Sequence, residues 1–355
     1  MNDSVSSQNQ THIQAIDALR GIAILSVLIY HWITQPFSSM LAELRIYNMA
    51  TLGAYGVDLF FVISGFLIGR ILLKLEKGLS LISFYLKRIF RIWPLYYLLL
   101  GTVYVAGGGL KVFGEIPYWS YFLFIFNFWE SFVGLKFSPA FLTLWSLALE
   151  EQFYLAGPLI FFFLDKGKLK YLVLTGIMIL PVARWILINN TKLDVWRFTP
   201  VRVDGILAGI FISIILASQD IASTLISKAR LLKILTSTLF LLSLLCRAIL
   251  SYALWVSFGN TLMVLSFGFL LTTILVQHSL SQNGLFLNSK VLRYLGIRCY
   301  SIYLFHLFFA ILAGNLTNFF FAKLVIQATL TLGFAHLSWK YFEYPLIVFA
   351  RRFQY

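Results

Sequence analysis

The 355-residue chain is 60% hydrophobic and only 12% charged, whereas soluble domains carry roughly a quarter charged residues. A water-soluble fold is excluded, and so is a β-barrel, whose strands alternate in ~10-residue segments; runs such as 232–245 and 263–276 are predominantly apolar over many residues without that alternation. The excess of 28 Lys+Arg over 14 Asp+Glu is what basic cytoplasmic loops produce, and nucleic-acid binding is not expected.

With ~20 apolar residues needed per crossing, helices are predicted near 15–34, 53–73, 86–106, 143–164, 169–188, 201–217, 231–250, 256–277, 298–316 and 322–349. The fold class is therefore all-α, a polytopic transmembrane bundle of about ten spans. The first span is no cleaved signal peptide, because 1–11 lacks a basic residue and Asp17 and Arg20 interrupt the apolar stretch. The aromatic segment 118–132 is short and holds Asn127 and Glu130. If it does not cross, five basic clusters fall on one face with the N-terminus: Lys74 to Arg91 with Lys77, Lys166 to Lys170, Lys228 to Lys233, Lys290 to Arg298, and Arg351 with Arg352. The positive-inside rule selects that arrangement. Segment 118–132 is then re-entrant or interfacial, and both termini are cytoplasmic. Residues 1–13 form a cytoplasmic lead-in, 14–350 one membrane domain, and no appended soluble domain is expected.

Ionisable residues inside spans are costly and mark function by default. Arg20 and His31 lie eleven positions apart in the first span; at ~100° per residue they return to within ~20° of one direction, about 16 Å apart along the axis. An arginine near one end and an imidazole three turns deeper suit a long ligand with an anionic end and a reactive tip. The alternative is a local Asp17–Arg20 pair and a histidine that satisfies a neighbour. Arg88 and Arg91 share a face of the third span ahead of Pro94, and guanidinium forks at i, i+3 fit phosphate oxygens; snorkelling to lipid phosphate is the competing reading. Glu150 and Glu151 diverge by ~100°, so one of them turns inward. His336, Lys340 and Glu343 make one polar stripe of the last span, and Lys340 and Glu343 can simply neutralise each other. His306 in the ninth span, Asp58 and Asp204 are weaker indications: a packing or hydrogen-bonding role is available to the histidine, and the two carboxylates can cap or pair locally. Cys246 and Cys299 lie within apolar runs, and no metal-ligand cluster or P-loop glycine pattern is present.

These motifs together resemble the membrane-bound acyltransferase-3 family, whose familiar members are bacterial surface-polysaccharide O-acetyltransferases. Ile16-Asp17-Ala18-Leu19-Arg20-Gly21 leading to His31 is similar to the family's arginine, ten residues, histidine signature, and Arg88-Ile89-Phe90-Arg91 to its Arg-x-x-Arg motif. The segments 56–68, 145–154, 202–205, 300–306 and 338–345 follow in the family's order. The resemblance implies acetyl-CoA or another acyl-CoA as donor on the cytoplasmic side, no metal, and a hydroxyl of a cell-surface glycan or glycolipid as acceptor, in a multi-pass protein of the bacterial inner membrane. It assigns Arg20, Arg88 and Arg91 to the donor and His31 to catalysis, with Glu343 or, alternatively, Glu150 orienting the imidazole. The family often has proline soon after the ninth-span histidine, where this chain has Leu307-Phe308-Phe309. The rival class is a transporter or exporter of acylated glycan or lipid-linked sugar, its buried Arg, His and Glu lining a pathway.

Overall fold

The computed structural model describes residues 2–37, 51–74, 81–134, 138–164, 166–278 and 287–353, with side chains except those of 2–13, 166 and 278. Lys77 of the first basic cluster and residues 135–137 lie outside the described residues. The described chain is helical, without strands. In chain order the helices are α1 (Asn2–Ile29), α2 (Gly56–Leu72), α3 (Leu81–Ala106), α4 (Tyr118–Phe122), α5 (Phe126–Val133), α6 (Leu144–Phe163), α7 (Lys166–Asn190) and α8 (Asp204–Leu216). There follow α9 (Gln219–Ser227), α10 (Ala229–Ile249), α11 (Asn260–His278), α12 (Lys290–Ile297), α13 (Cys299–Leu316), α14 (Phe320–Ser338) and α15 (Tyr344–Ala350).

Every segment predicted to be helical is helical. Among the described residues, 8 helices are long and apolar enough to cross a membrane, or 9 if α8 and α9, bent by 102° at their junction, count as one broken span. Two predicted spans fall short for visible reasons. α6 carries Glu150, Glu151 and Gln152 at its centre. α8 has 13 residues, about 20 Å at 1.5 Å per residue against ~30 Å of hydrocarbon. Large apolar side chains such as Val105 and Phe163, both 80% exposed, point outward along the helices, as a lipid-facing surface requires. The chain is a multi-pass membrane protein.

Segment 118–132 does not form one helix. α4 and α5 are separated by a turn in which Phe124 takes φ 55°, and neither is long enough to cross. Asn127 and Glu130 find partners in protein, the condition for irregular backbone at membrane depth, while the Tyr121 hydroxyl and Glu130 Oε2 are buried without a hydrogen bond among the described residues. Gln152 Nε2 donates to Asn127 Oδ1 at 2.9 Å and to the Phe124 carbonyl at 2.6 Å. Asn127 Nδ2 donates to Thr199 Oγ1 at 2.9 Å, and Glu130 pairs with Arg197.

The chain folds as two compact units. The first comprises Met1–Lys74, Phe163–Trp196 and Pro200–Ile297; the second comprises Leu75–Phe162, Arg197–Thr199 and Arg298–Tyr355. In the first, α2 packs along α8, α1 along α12 and α10 along α11. α2 and α8 each carry Gly-x-x-x-Gly, at Gly65 and Gly69 and at Gly205 and Gly209. A Cβ at Gly65 would strike the Ile206 carbonyl, and one at Gly209 the Val62 carbonyl, so the backbones themselves touch, as small residues permit between membrane helices. α12 meets α1 the same way, Gly21 against Leu292 and Gly296 against Asp17. In the second unit, α13 packs on α14, and both α13 and α15 pack on α3.

Among the described residues, three turns are wound as π-helix rather than α-helix: Tyr30–Thr34 at the end of α1, Trp255–Gly259 before α11, and Trp339–Glu343 between α14 and α15. Such turns concentrate at functional sites.

Candidate active site

Arg20 and His31 belong to the first unit. Arg20 Nη1 lies 3.6 Å from Asp17 Oδ1, so the local pair considered from the sequence does form. It leaves the arginine partly exposed, at the point where the Gly21 and Gly296 contacts hold α12 on the α1 backbone. His31 occupies the first π-turn, with its ring edge-on to Tyr30 at 5.0 Å. Its Nδ1 is 3.0 Å from the Val27 carbonyl. A carbonyl only accepts, so Nδ1–H is the donor, and in the neutral ring Nε2 carries the lone pair. That is the tautomer a general base needs.

The other predicted site residues belong to the second unit. Arg88 lies over the rings of Phe84 at 5.6 Å and Tyr154 at 5.4 Å, while Arg91 is exposed. Glu150 accepts from the Tyr154 hydroxyl at 3.2 Å. Its neighbour Glu151 points elsewhere: Oε2 accepts from Trp93 Nε1 at 2.8 Å, and Oε1 is buried with no hydrogen-bond partner among the described residues. Glu151 is thus the carboxylate of the pair with unused acceptor capacity in the interior, a distinction that spacing alone does not make.

His336, Lys340 and Glu343 do not form one stripe. The π-turn Trp339–Glu343 takes one extra residue, which rotates Glu343 away from the other two. Glu343 is 5% exposed, while His336 and Lys340 are exposed. Nor does Lys340 neutralise Glu343: its ammonium lies 4.9 Å from the Tyr341 ring centre. Glu343 instead accepts from Ser338 Oγ at 2.9 Å, with Arg91 and Arg298 within electrostatic reach. Arg91 and Glu343 are the predicted site residues that the second unit brings together. His306 is fully buried, its Nδ1–H donating to the Tyr303 carbonyl at 2.8 Å.

Asp204 does pair locally, with Arg202 at 3.6 Å, but it and Asp58 belong to a wider set. With Arg184 and Arg202 they build a charge network in the first unit, each side chain at most 1% exposed. Arg184 Nη1 donates to Asp204 Oδ2 at 2.9 Å and to the Val201 carbonyl at 2.9 Å. Its Nη2 donates to the Ser257 carbonyl at 2.9 Å and to Thr261 Oγ1. Arg202 Nη2 meets Asp58 Oδ1 at 2.7 Å. Arg184 carries no motif; its signal was a lone arginine inside an otherwise apolar span.

The acyltransferase domain family matches residues 13–340, a range that takes in Arg20, His31 and Arg88. The chain belongs to the acyltransferase-3 family. It is 27% identical over 367 residues to the peptidoglycan O-acetyltransferase OatA of Listeria monocytogenes, covering 95% of this chain and 56% of the relative. To the putative peptidoglycan O-acetyltransferase YrhL of Bacillus subtilis it is 26% identical, over 96% of this chain and 56% of the relative. A putative O-acetyltransferase of Staphylococcus aureus is 28% identical, over 94% of this chain and 57% of the relative. This acyltransferase-3 chain thus spans little more than half the length of the curated relatives it matches. No solved structure matches it.

Proposed function

We propose that the chain is an integral-membrane O-acyltransferase of the bacterial inner membrane. It moves an acyl group, acetyl in the first instance, from acyl-CoA on the cytoplasmic side to a hydroxyl of a cell-surface glycan or glycolipid. The observation that carries this reading is the family match running through both Arg20 and His31, and the relatives named as O-acetyltransferases support it.

In this reading Arg88 and Arg91 hold the phosphates of CoA, Arg20 contributes positive charge toward the donor, and the thioester is presented to His31. Nε2 of His31 takes the proton of the acceptor hydroxyl as its oxygen attacks the thioester carbonyl. The C–S bond breaks, and the imidazolium returns the proton to the departing CoA sulfur. A transient acyl-histidine would use the same nitrogen. Glu343 is assigned to steady the imidazolium, with Glu150 as the other carboxylate for that role.

The experiment is radiolabelled acyl transfer from acetyl-CoA to an added glycan by the purified chain in proteoliposomes. An exporter would move glycan across the bilayer without forming an ester. Donor binding is read in the same preparation. Arg88→Ala and Arg91→Ala should each weaken full-length acetyl-CoA by about tenfold, on the order of one charge-assisted contact, while a truncated acetyl-pantetheine thioester, which lacks the distal phosphates, loses little. Equal losses for the two donors would remove the phosphate assignment.

A further inference from the structure

At the end of the first unit where α1 finishes, an arginine stands without a carboxylate among the described residues. Gly53 packs against the backbone of Ser26 and against Tyr30, the residue before His31, so the turn Thr51–Tyr55 lies beside the His31 turn. Arg247, in the last turn of α10, donates to Thr51 Oγ1. Its guanidinium lies 4.6 Å from the Trp255 ring centre and 5.8 Å from that of Tyr55. Trp255 belongs to the second π-turn. Its Nε1 donates to the Tyr55 hydroxyl at 3.1 Å, and its ring stacks on Trp196 at 5.9 Å. Trp196 carries Arg202 at 4.7 Å. The result is a stack with an arginine at either end.

The two arginines differ in charge balance. Arg202 has Asp58 and Asp204. Arg247 has no acidic partner among the described residues, and its Nε is buried without a hydrogen bond. Aromatic faces attract a cation without neutralising it, and a guanidinium offers five donors in a planar fork suited to a carboxylate. On the same indole, Tyr252 sits edge-on to Trp255 at 5.9 Å and is 60% exposed. A cation with no counter-ion among the described residues, sharing an indole with an exposed aromatic ring, matches a sugar that bears a carboxylate: the fork takes the acid and the ring takes the apolar C–H face.

We propose that Arg247 is an acceptor-binding residue that grips the carboxylate of an acidic saccharide, with Tyr252 beneath the sugar ring, at the His31 end of the first unit. The proposal rests on the glycan O-acyltransferase reading and names its substrate class.

Trp255 and Trp196 lie in the stack, so tryptophan fluorescence reads occupancy without any transfer step. The full chain in phosphatidylcholine nanodiscs is titrated with trigalacturonic acid and with its methyl ester, which keeps the rings and removes the charge. The acid should bind at least about tenfold more tightly than the ester, as a charge-assisted fork predicts. Arg247→Gln should abolish that preference, Arg247→Lys should retain part of it, and Tyr252→Ala should weaken acid and ester alike. Equal affinity of the unaltered protein for acid and ester would overturn the assignment, as would a preference that survives Arg247→Gln. So would loss of acid binding on adding phosphatidylglycerol, which would give Arg247 to a lipid headgroup. If Arg247→Gln fails to fold, the acid-to-ester ratio of the unaltered protein and the Tyr252→Ala titration decide the matter. Acid binding through Arg247 with no transfer to any acceptor would leave the site standing and remove the acyltransferase reading. Transfer that proceeds equally to acidic and neutral acceptors would do the reverse.

Discussion

His31→Ala is expected to leave a folded protein that binds acyl-CoA normally and transfers the acyl group roughly 10²–10⁴-fold more slowly, the range for removing a positioned general base. The expectation follows from the ring's geometry. Donation from Nδ1 to the Val27 carbonyl fixes the tautomer, so Nε2 is the basic atom without any further rearrangement. His31→Gln supplies a hydrogen-bonding amide with no basic nitrogen and should be nearly as slow as alanine. Single-turnover measurement with saturating donor isolates this step from product release. Near-normal single-turnover transfer in His31→Ala would end the assignment, and loss of CoA binding would show that the residue shapes the donor path instead. The same assay on Glu343→Gln and Glu150→Gln identifies the carboxylate that serves His31, since only that partner's loss should be strongly non-additive with His31→Ala.

The largest effect on stability is expected at Asp204. This carboxylate faces Arg184 and Arg202, and all three side chains are out of contact with solvent. Asp204→Ala leaves two buried guanidinium groups sharing Asp58, and breaking a buried pair in this way costs about 3–5 kcal/mol. Thermal unfolding in detergent, followed by circular dichroism, should show a large drop in Tm or no folded protein. Asp204→Asn keeps an acceptor for one N–H and should lose less. Arg184→Met combined with Asp204→Leu should recover part of the loss, because removing both partners removes the uncompensated charge. A Tm for Asp204→Ala within a few degrees of the unaltered protein would show that water reaches the network and that its role in holding α7 to α8 is small.

The helices were legible because a bilayer imposes a coarse rule: about 20 apolar residues make a crossing, and a run such as 169–188 meets it without help from its neighbours. The failure of 118–132 to span was legible from its shortness, its Asn127 and Glu130, and above all the basic clusters, which fall on one face only if it does not cross. The polar residues were legible as a set, but of the pairs only the local ones were, Asp17 with Arg20 and Arg202 with Asp204. Asp58, Arg184 and Asp204 come from three separate helices, so nothing local connects them. That Glu150 and Glu151 diverge follows from helical geometry, yet which one turns toward Trp93 depends on where α3 lies. The stripe of His336, Lys340 and Glu343 failed because α-helical spacing was applied across a π-turn, and no residue in Trp339-Lys340-Tyr341-Phe342-Glu343 signals the additional residue.

The paired Gly-x-x-x-Gly crossing of α2 and α8 also bears on how the protein works mechanically. Helices that slide during a transport cycle do so on a layer of side chains that can re-pack. Here Gly65 meets the Ile206 carbonyl and Gly209 the Val62 carbonyl, with no such layer between them. A shift of one residue, about 1.5 Å along the axis, would drive a side chain into the facing backbone. The two helices are therefore welded, and any shear that accompanies turnover within the first unit has to run along its other interfaces, leaving Asp58 on α2 and Asp204 on α8 at a constant separation throughout.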